Sequence, residues 1–331
     1  MSDTTPGLRW GILATGGIAQ AFTSDLRTAD LDVRAVGSRR PGAAQAFADE
    51  FGIPHAHGSY EALLADDDVD IVYVATPHPM HAENALAAIA HGKHVLVEKP
   101  FTLTGDEAAQ VRDAARAAGV LAMEAMWTRY LPHMTRARQL VASGALGEVR
   151  TVFADHTQKL PADPAHRLNA MALGGGALLD LGVYPVSFAW DILGEPVSVL
   201  AQGRLGETGA DTEVATIMTH RDGAVSTSIS SSRASGPNTA HIVGTEARID
   251  IDRVWYTPTS FRLIAPDGTV LEDYVSHVDG RGMQYQAIAA QEYVAGGLTE
   301  SPLLPIEESV AIMRTLDDVR AQLGVRYPQE G

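Results

Sequence analysis

Through its first third the chain alternates short apolar, β-branched runs with amphipathic stretches. The runs at residues 9–14 (RWGILA), 32–38 (DVRAVGS), 70–76 (DIVYVAT), 94–99 (HVLVEK) and 121–126 (LAMEAM) read as strands. Several are apolar on both faces, as strands of a parallel sheet covered by helices must be. The stretches between them carry helical spacing and begin near Ile18, Gly42, Ser59, Pro79 and Thr104. The last is marked at both ends: Thr104 and Glu107 form a capping box, and Gly119 supplies a C-terminal stop. This repetition predicts an α/β fold with a doubly wound parallel sheet as a first domain, residues 1–126.

After Pro132 the rhythm changes. One helix (PHMTRARQLVASG) leads into GEVRTVFADHTQ, a helix is expected from about Ala177 to Leu193, and strands joined by turn signals follow. RDG at 221–223 and PDG at 266–268 read as hairpin turns, the first between the alternating runs TEVATIMTH and AVSTSISSS. A second domain, residues 127–331, is therefore expected to be α+β, built on a large, mostly antiparallel open sheet. Two closing helices, about 284–295 and 306–323, can pack back on the first domain.

Composition narrows the partners. The 331 residues are 45% apolar, enough for two sizeable cores. With 25 basic against 41 acidic residues the formal charge is −16, which argues against nucleic acid or an anionic membrane as partner. The opening MSDTTPGLRW has neither the basic nor the apolar part of a secretion signal, and no later apolar run is membrane-spanning without charge or proline. Cysteine is absent, which removes disulfides and thiolate metal sites. A cytoplasmic protein is expected.

The first predicted strand runs into GILATGGIAQ, residues 11–20. In the G-x-G-x-x-[G/A] frame of a dinucleotide-binding turn, Ala14 stands at the first glycine, Gly16 at the second and Ala19 at the third. The strand feeds the turn, Gly16 permits close approach of a pyrophosphate, and a helix N-terminus follows. Ala14 suits the turn if its φ stays negative. The same letters also fit an ordinary glycine-containing loop, but their place at the head of a βα array favours a Rossmann cofactor site. Its residues would be Thr15, Gly16, Gly17, Ile18 and Ala19. At the end of the second strand, where an acid would bond the ribose of NAD, the chain offers Ser38, Arg39 and Arg40. A hydroxyl and two guanidinium groups suit the 2′-phosphate of NADP, so NADP is expected in preference to NAD; two solvated arginines at a helix start would look the same.

Candidate chemistry gathers at the ends of later strands. Glu98, Lys99 and Pro100 close the fifth strand, and VATPHPMH, residues 74–81, follows the fourth, adding Thr76, Pro77 and His81 to the expected cofactor contacts. Together with MEAMWTRYLP (123–132) and GGGALLDLGVYPV (174–186), these segments resemble the Gfo/Idh/MocA oxidoreductases over nearly the whole chain. The likeness is greatest to the branch of dimeric dihydrodiol dehydrogenases and NADP-dependent D-xylose dehydrogenases. It implies an enzyme that moves a hydride between a nicotinamide and a sugar, vicinal diol or related small-molecule carbonyl substrate. It further implies that Lys99 lies beside the nicotinamide, that Asp180 and Tyr184 meet the substrate, and that the Lys99–Pro100 bond is cis. Tyr184, where many sugar-oxidising members carry histidine, favours the dihydrodiol and aldose branch. An open sheet face is usually covered, and a homodimer through the C-terminal sheet is expected, as the resemblance also implies.

The residues support these roles. Asp180 and Tyr184 are four apart on the expected helix and so share a face. A tyrosine can take and return a hydroxyl proton, and a nearby lysine charge such as that of Lys99 favours its phenolate. Asp180 would orient a hydroxyl, Gly174–Gly176 would let the helix start approach the ligand, and Trp127 and Arg129 are expected in the pocket wall. His78 and His81 lack a third ligand of suitable spacing, so no metal is expected. Two further readings of the same fold stay open. One is a non-catalytic NADP-binding sensor, against which Lys99, Asp180 and Tyr184 together argue; the other is a biliverdin-reductase-like reductase of a double bond.

Overall fold

Trp10, Ile12 and Leu13 are fully buried in β1 (Trp10–Leu13), the third strand of a six-stranded parallel sheet. The computed structural model describes residues 7–330. Two units divide the chain: the first runs to Trp127 and takes in Asp279–Val310, and the second comprises Thr128–Val278 and the chain from Ala311.

In the first unit β1 is followed by α1 (Gly17–Thr28), β2 (Val33–Gly37), α2 (Pro41–Phe51), β3 (His55–His57), α3 (Tyr60–Leu64) and β4 (Ile71–Val74). Then come α4 (His81–Ala90), β5 (His94–Glu98), α5 (Gly105–Ala118) and β6 (Ala122–Ala125). The sheet order β3-β2-β1-β4-β5-β6 is that of a doubly wound nucleotide-binding fold, with its switch between β1 and β4. Helices lie tight on it: a Cβ at Gly37 would stand 2.9 Å from Leu63 Cβ on α3. The caps of α5 are as expected, with Thr104 Oγ1 accepting from the Glu107 N–H at 3.2 Å and Gly119 in the left-handed region at φ 67°. The short polar strand β3 escapes the apolar pattern because only its pairing with β2 defines it.

The second unit contains α6 (Pro132–Ala142), β7 (Val149–Thr157), α7 (Val183–Leu193), β8 (Pro196–Leu205), β9 (Asp211–His220), β10 (Val225–Ser231), β11 (Ala240–Gly244), β12 (Arg248–Ile251), β13 (Phe261–Ile264) and β14 (Val270–Tyr274). Its eight-stranded sheet, β14-β13-β12-β11-β7-β10-β9-β8, is antiparallel except for the β7–β10 pair. Helix α7 packs on β7 and β10. The opposite face carries exposed Phe153, Ile217, Ile229 and Leu200. Helix α8 (Gln284–Ala295) belongs to the first unit and packs on α1, where Asp25 accepts from the N–H groups of Arg281 and Met283. The unit boundary falls within α9 (Ile306–Leu323).

The helix expected from Ala177 to Leu193 begins instead as a π-turn over Leu178–Gly182 before α7. Hydrophobic spacing cannot separate the two periods over a single turn. The stretch Met171–Leu193 is long and apolar enough to cross a membrane, but it carries Asp180, Pro185 and Asp191, and 83% of its most apolar part is buried within the protein, as a core helix requires.

Candidate active site

The turn after β1 has room for a ligand. Gly16 caps α1 in extended conformation, and neither Gly16 nor Gly17 has any heavy atom within 4 Å of where a Cβ would stand. Both are exposed beside Thr15 and Ile18, while Ala19 is buried on the sheet side. Ala14 differs from expectation: its φ is 96°, in the region that favours glycine. The Ala14 N–H bonds the Gly37 carbonyl of the neighbouring strand at 3.0 Å, which ties the residue to the sheet edge and holds it there.

At the end of β2, Ser38 is buried and its Oγ accepts from the Arg40 N–H at 3.3 Å, leaving Arg39 and Arg40 exposed. Thr76 follows β4; its Oγ1 is buried with no hydrogen-bond partner among the described residues, and Pro77 beside it is exposed. Glu98 accepts from the Tyr73 hydroxyl and, at 3.2 Å, from the Lys99 N–H. The Lys99–Pro100 bond is cis and Lys99 is half-buried.

His81 is fully buried. Its Nδ1 lies 2.8 Å from the Pro100 carbonyl and its Nε2 2.8 Å from that of Thr76, so the ring pins the β4 loop to the Lys99 turn. Burial, aided by the charge of Lys99, moves its pKa down against those two bonds. With both nitrogens engaged, it offers no metal ligand beside His78. Open space over Gly16, exposed arginines at the β2 end and the unfilled Thr76 hydroxyl together fit a dinucleotide on this unit.

The second unit assembles another constellation. Asp180, in the π-turn, forms an ion pair at 3.2 Å with the half-exposed Arg167. Tyr184 opens α7 and is 7% exposed. The His156 ring meets Tyr184 edge-on at 4.9 Å and stacks on Tyr256 at 3.7 Å, and the Tyr184 and Tyr256 rings lie 5.4 Å apart. Gln158 Nε2 approaches His156 Nε2 at 2.9 Å and the Tyr256 hydroxyl at 3.4 Å. Burial, with the neighbouring Tyr184 and Asp155, outweighs the Gln158 bond and pushes Tyr256 up to about 12. That leaves Tyr184 beside two buried rings, both of them met by the Gln158 amide.

Two expected site elements make close contacts within the second unit. At the helix start Asp211 accepts from the Leu178 N–H at 2.7 Å. Gly176, at φ 145°, is required because a Cβ there would meet Asp211 Oδ1 at 2.2 Å. Arg129 is 2% exposed. Its guanidinium bonds Ser187 Oγ at 3.0 Å and the Ser187 carbonyl at 2.7 Å, with Asp191 at 3.8 Å, fastening α7. Trp127 is 4% exposed. His156, Arg167 and Tyr256 went unmarked in the sequence, since each is a single polar or aromatic residue in a run with no motif.

The family model described as an oxidoreductase family with an NAD-binding Rossmann fold matches residues 8–126, and that of the GFO/IDH/MocA C-terminal domain matches residues 134–250. The chain belongs to the GFO/IDH/MocA oxidoreductase family. Within it, a trans-1,2-dihydrobenzene-1,2-diol dehydrogenase of Mus musculus is 37% identical over 98% of this chain and 99% of its own. The protein of the same name from Homo sapiens is 36% identical over 98% and 99%. Among solved structures, an aldose-aldose oxidoreductase from Caulobacter crescentus, complexed with glycerol, is similar with a TM-score of 0.87 at 25% identity, over 96% of this chain and 98% of that one. A 3-ketoreductase from Actinomadura kijaniata, in complex with NADP and TDP-benzene, is similar with a TM-score of 0.84 at 29% identity over the same shares. Family members thus share both the fold and the cofactor-binding unit seen here.

Proposed function

We propose that this chain is an NADP-dependent dehydrogenase for a vicinal diol, an aldose or a related carbonyl compound. The observation that carries the reading is the placement of Tyr184, one turn after Asp180 and packed against His156 and Tyr256. When bound, the nicotinamide supplies the hydride acceptor or donor. The chain must then supply a proton acceptor, and Tyr184 Oη is the group for it, with the Lys99 ammonium favouring the phenolate. Asp180, paired with Arg167, orients a substrate hydroxyl. Flat rings around Tyr184 suit a ring-borne diol, in keeping with the dihydrodiol dehydrogenases to which the chain is similar.

Arg39 and Arg40, exposed at the end of β2 without an acid, support NADP over NAD. A homodimer is part of the same proposal. Phe153, Thr227, Ile217 and Leu200 form a continuous row across four strands, and three of the four are large, exposed apolar residues. A patch of that kind on a sheet face suits an identical partner.

The test is turnover by the purified protein. Trans-dihydrobenzenediol and a panel of aldoses, each offered with NADP and with NAD, should produce reduced nicotinamide, detected by absorbance, most rapidly with NADP. Failure of every diol and sugar with both cofactors would overturn the proposal.

A further inference from the structure

His55 and His57 stand two apart on β3, so their side chains leave the strand on the same face. β3 is an edge strand of the six-stranded sheet, with no neighbouring strand on its outer side among the described residues. Asp66, just beyond α3, turns its carboxylate to both rings: Oδ2 lies 2.7 Å from His55 Nδ1 and 2.8 Å from His57 Nε2. The three donor atoms all lie within 4.8 Å of one another. None of these residues takes part in the reaction proposed above.

We propose that His55, His57 and Asp66 bind a divalent transition-metal ion of the zinc, cobalt or nickel type. Two imidazoles and one carboxylate are the donor set such ions prefer over calcium or magnesium, which seek oxygen. A tetrahedral ion with bonds of about 2.0 to 2.2 Å needs donors roughly 3.3 Å apart. The rings would therefore withdraw from Asp66 by about half an ångström. They have room to do so, with His55 39% and His57 23% exposed.

Asp66 is already built as a ligand. Its Oδ1 accepts from the Asp68 N–H at 2.8 Å, which fixes the carboxylate plane and leaves Oδ2 for the ion. Lys93 Nζ bonds the Asp66 and Val69 carbonyls at 2.9 Å each, anchoring the backbone that carries it. Burial opposes ionisation of Asp66, but the bonds from His55, Asp68 and His57 outweigh it and bring its pKa down to about 2. Asp68, whose Oδ1 accepts from Arg9 Nη1 at 2.7 Å, holds its Oδ2 3.9 Å from His55 Nε2, beyond hydrogen-bond reach. Three protein ligands leave one position for water, and the ion would cross-link the edge strand to the end of α3.

The experiment uses the full chain, stripped by chelator and then titrated with Zn²⁺ by calorimetry and with Co²⁺ by visible absorption. One equivalent should bind with a Kd of about 10 µM or tighter, with the intense visible bands of four- or five-coordinate Co²⁺ and a rise in Tm on adding Zn²⁺. A double variant, His55→Gln with His57→Gln, should bind that equivalent roughly 100-fold more weakly and lose the bands. Because that variant alters two strand residues, Asp66→Asn is measured beside it; it keeps the bond from Asp68 and should lose the tight equivalent too. An absence of tight binding in the stripped wild type overturns the proposal, as does an equivalent that persists in either variant through the chain's other histidines.

Discussion

The imidazole of His156 lies flat on the ring of Tyr256, centroids 3.7 Å and planes 24° apart. β7 presents the histidine and the segment after β12 presents the tyrosine, and Tyr184 reaches both from the first turn of α7. The stack gives the Tyr184 ring a defined seat through its ring faces.

That seat makes Tyr184→Phe informative. The ring packing is kept, so Tm should change little, while kcat should fall by roughly 100- to 10,000-fold, the span for a lost acid–base group. Near-wild-type turnover with a lowered Tm would make Tyr184 a packing residue.

Arg39 is exposed at the end of β2 and free of any role in the sheet core. Arg39→Ala should weaken NADP by about 1 to 3 kcal/mol, roughly 5- to 150-fold in Kd, and leave NAD almost unchanged. Fluorescence titration with both cofactors decides it. An equal loss for the two would assign the effect to the loop rather than to the phosphate.

Ala14 carries a backbone conformation that disfavours a Cβ, at φ 96°. The left-handed region costs an L-residue about 1 to 2 kcal/mol, and glycine returns about 0.5 to 1 of that through its unfolded-state entropy. Ala14→Gly should therefore raise stability by about 0.5 kcal/mol and leave cofactor binding intact. Urea denaturation measures it, and a loss of 1 kcal/mol or more would contradict the argument.

Asp211 supplies a pH dependence. Burial raises its pKa to about 6, against the pull of the Leu178 and Ala177 N–H groups. The folded chain therefore holds this proton to higher pH than the unfolded one. The stability so gained is present in full below the ordinary carboxylate range and is lost as pH rises through about 6. The loss is roughly 3 kcal/mol, and Asp211→Asn should abolish it. Melting curves of both proteins from pH 4 to 8 should diverge across that window; parallel curves would show that Asp211 does not titrate there.

The sequence by itself determined the βα array, the hairpins of the second sheet, the caps of α5 and the segments that mark the family. Each depends on neighbours a few positions apart, where side-chain period, capping and turn chemistry act. Tertiary structure alone decided what those segments face. Asp211 reaches the Leu178 N–H from 33 positions away and fills the space beside Gly176. Arg129 serves Ser187 on α7, 58 positions on, because a buried guanidinium must find partners wherever the fold places them. His156 and Tyr256, 100 residues apart in sequence, meet only because antiparallel pairing of β11 with β7 and β12 folds the intervening chain back. Local pattern determines elements, whereas contacts between distant segments depend on how the elements pack.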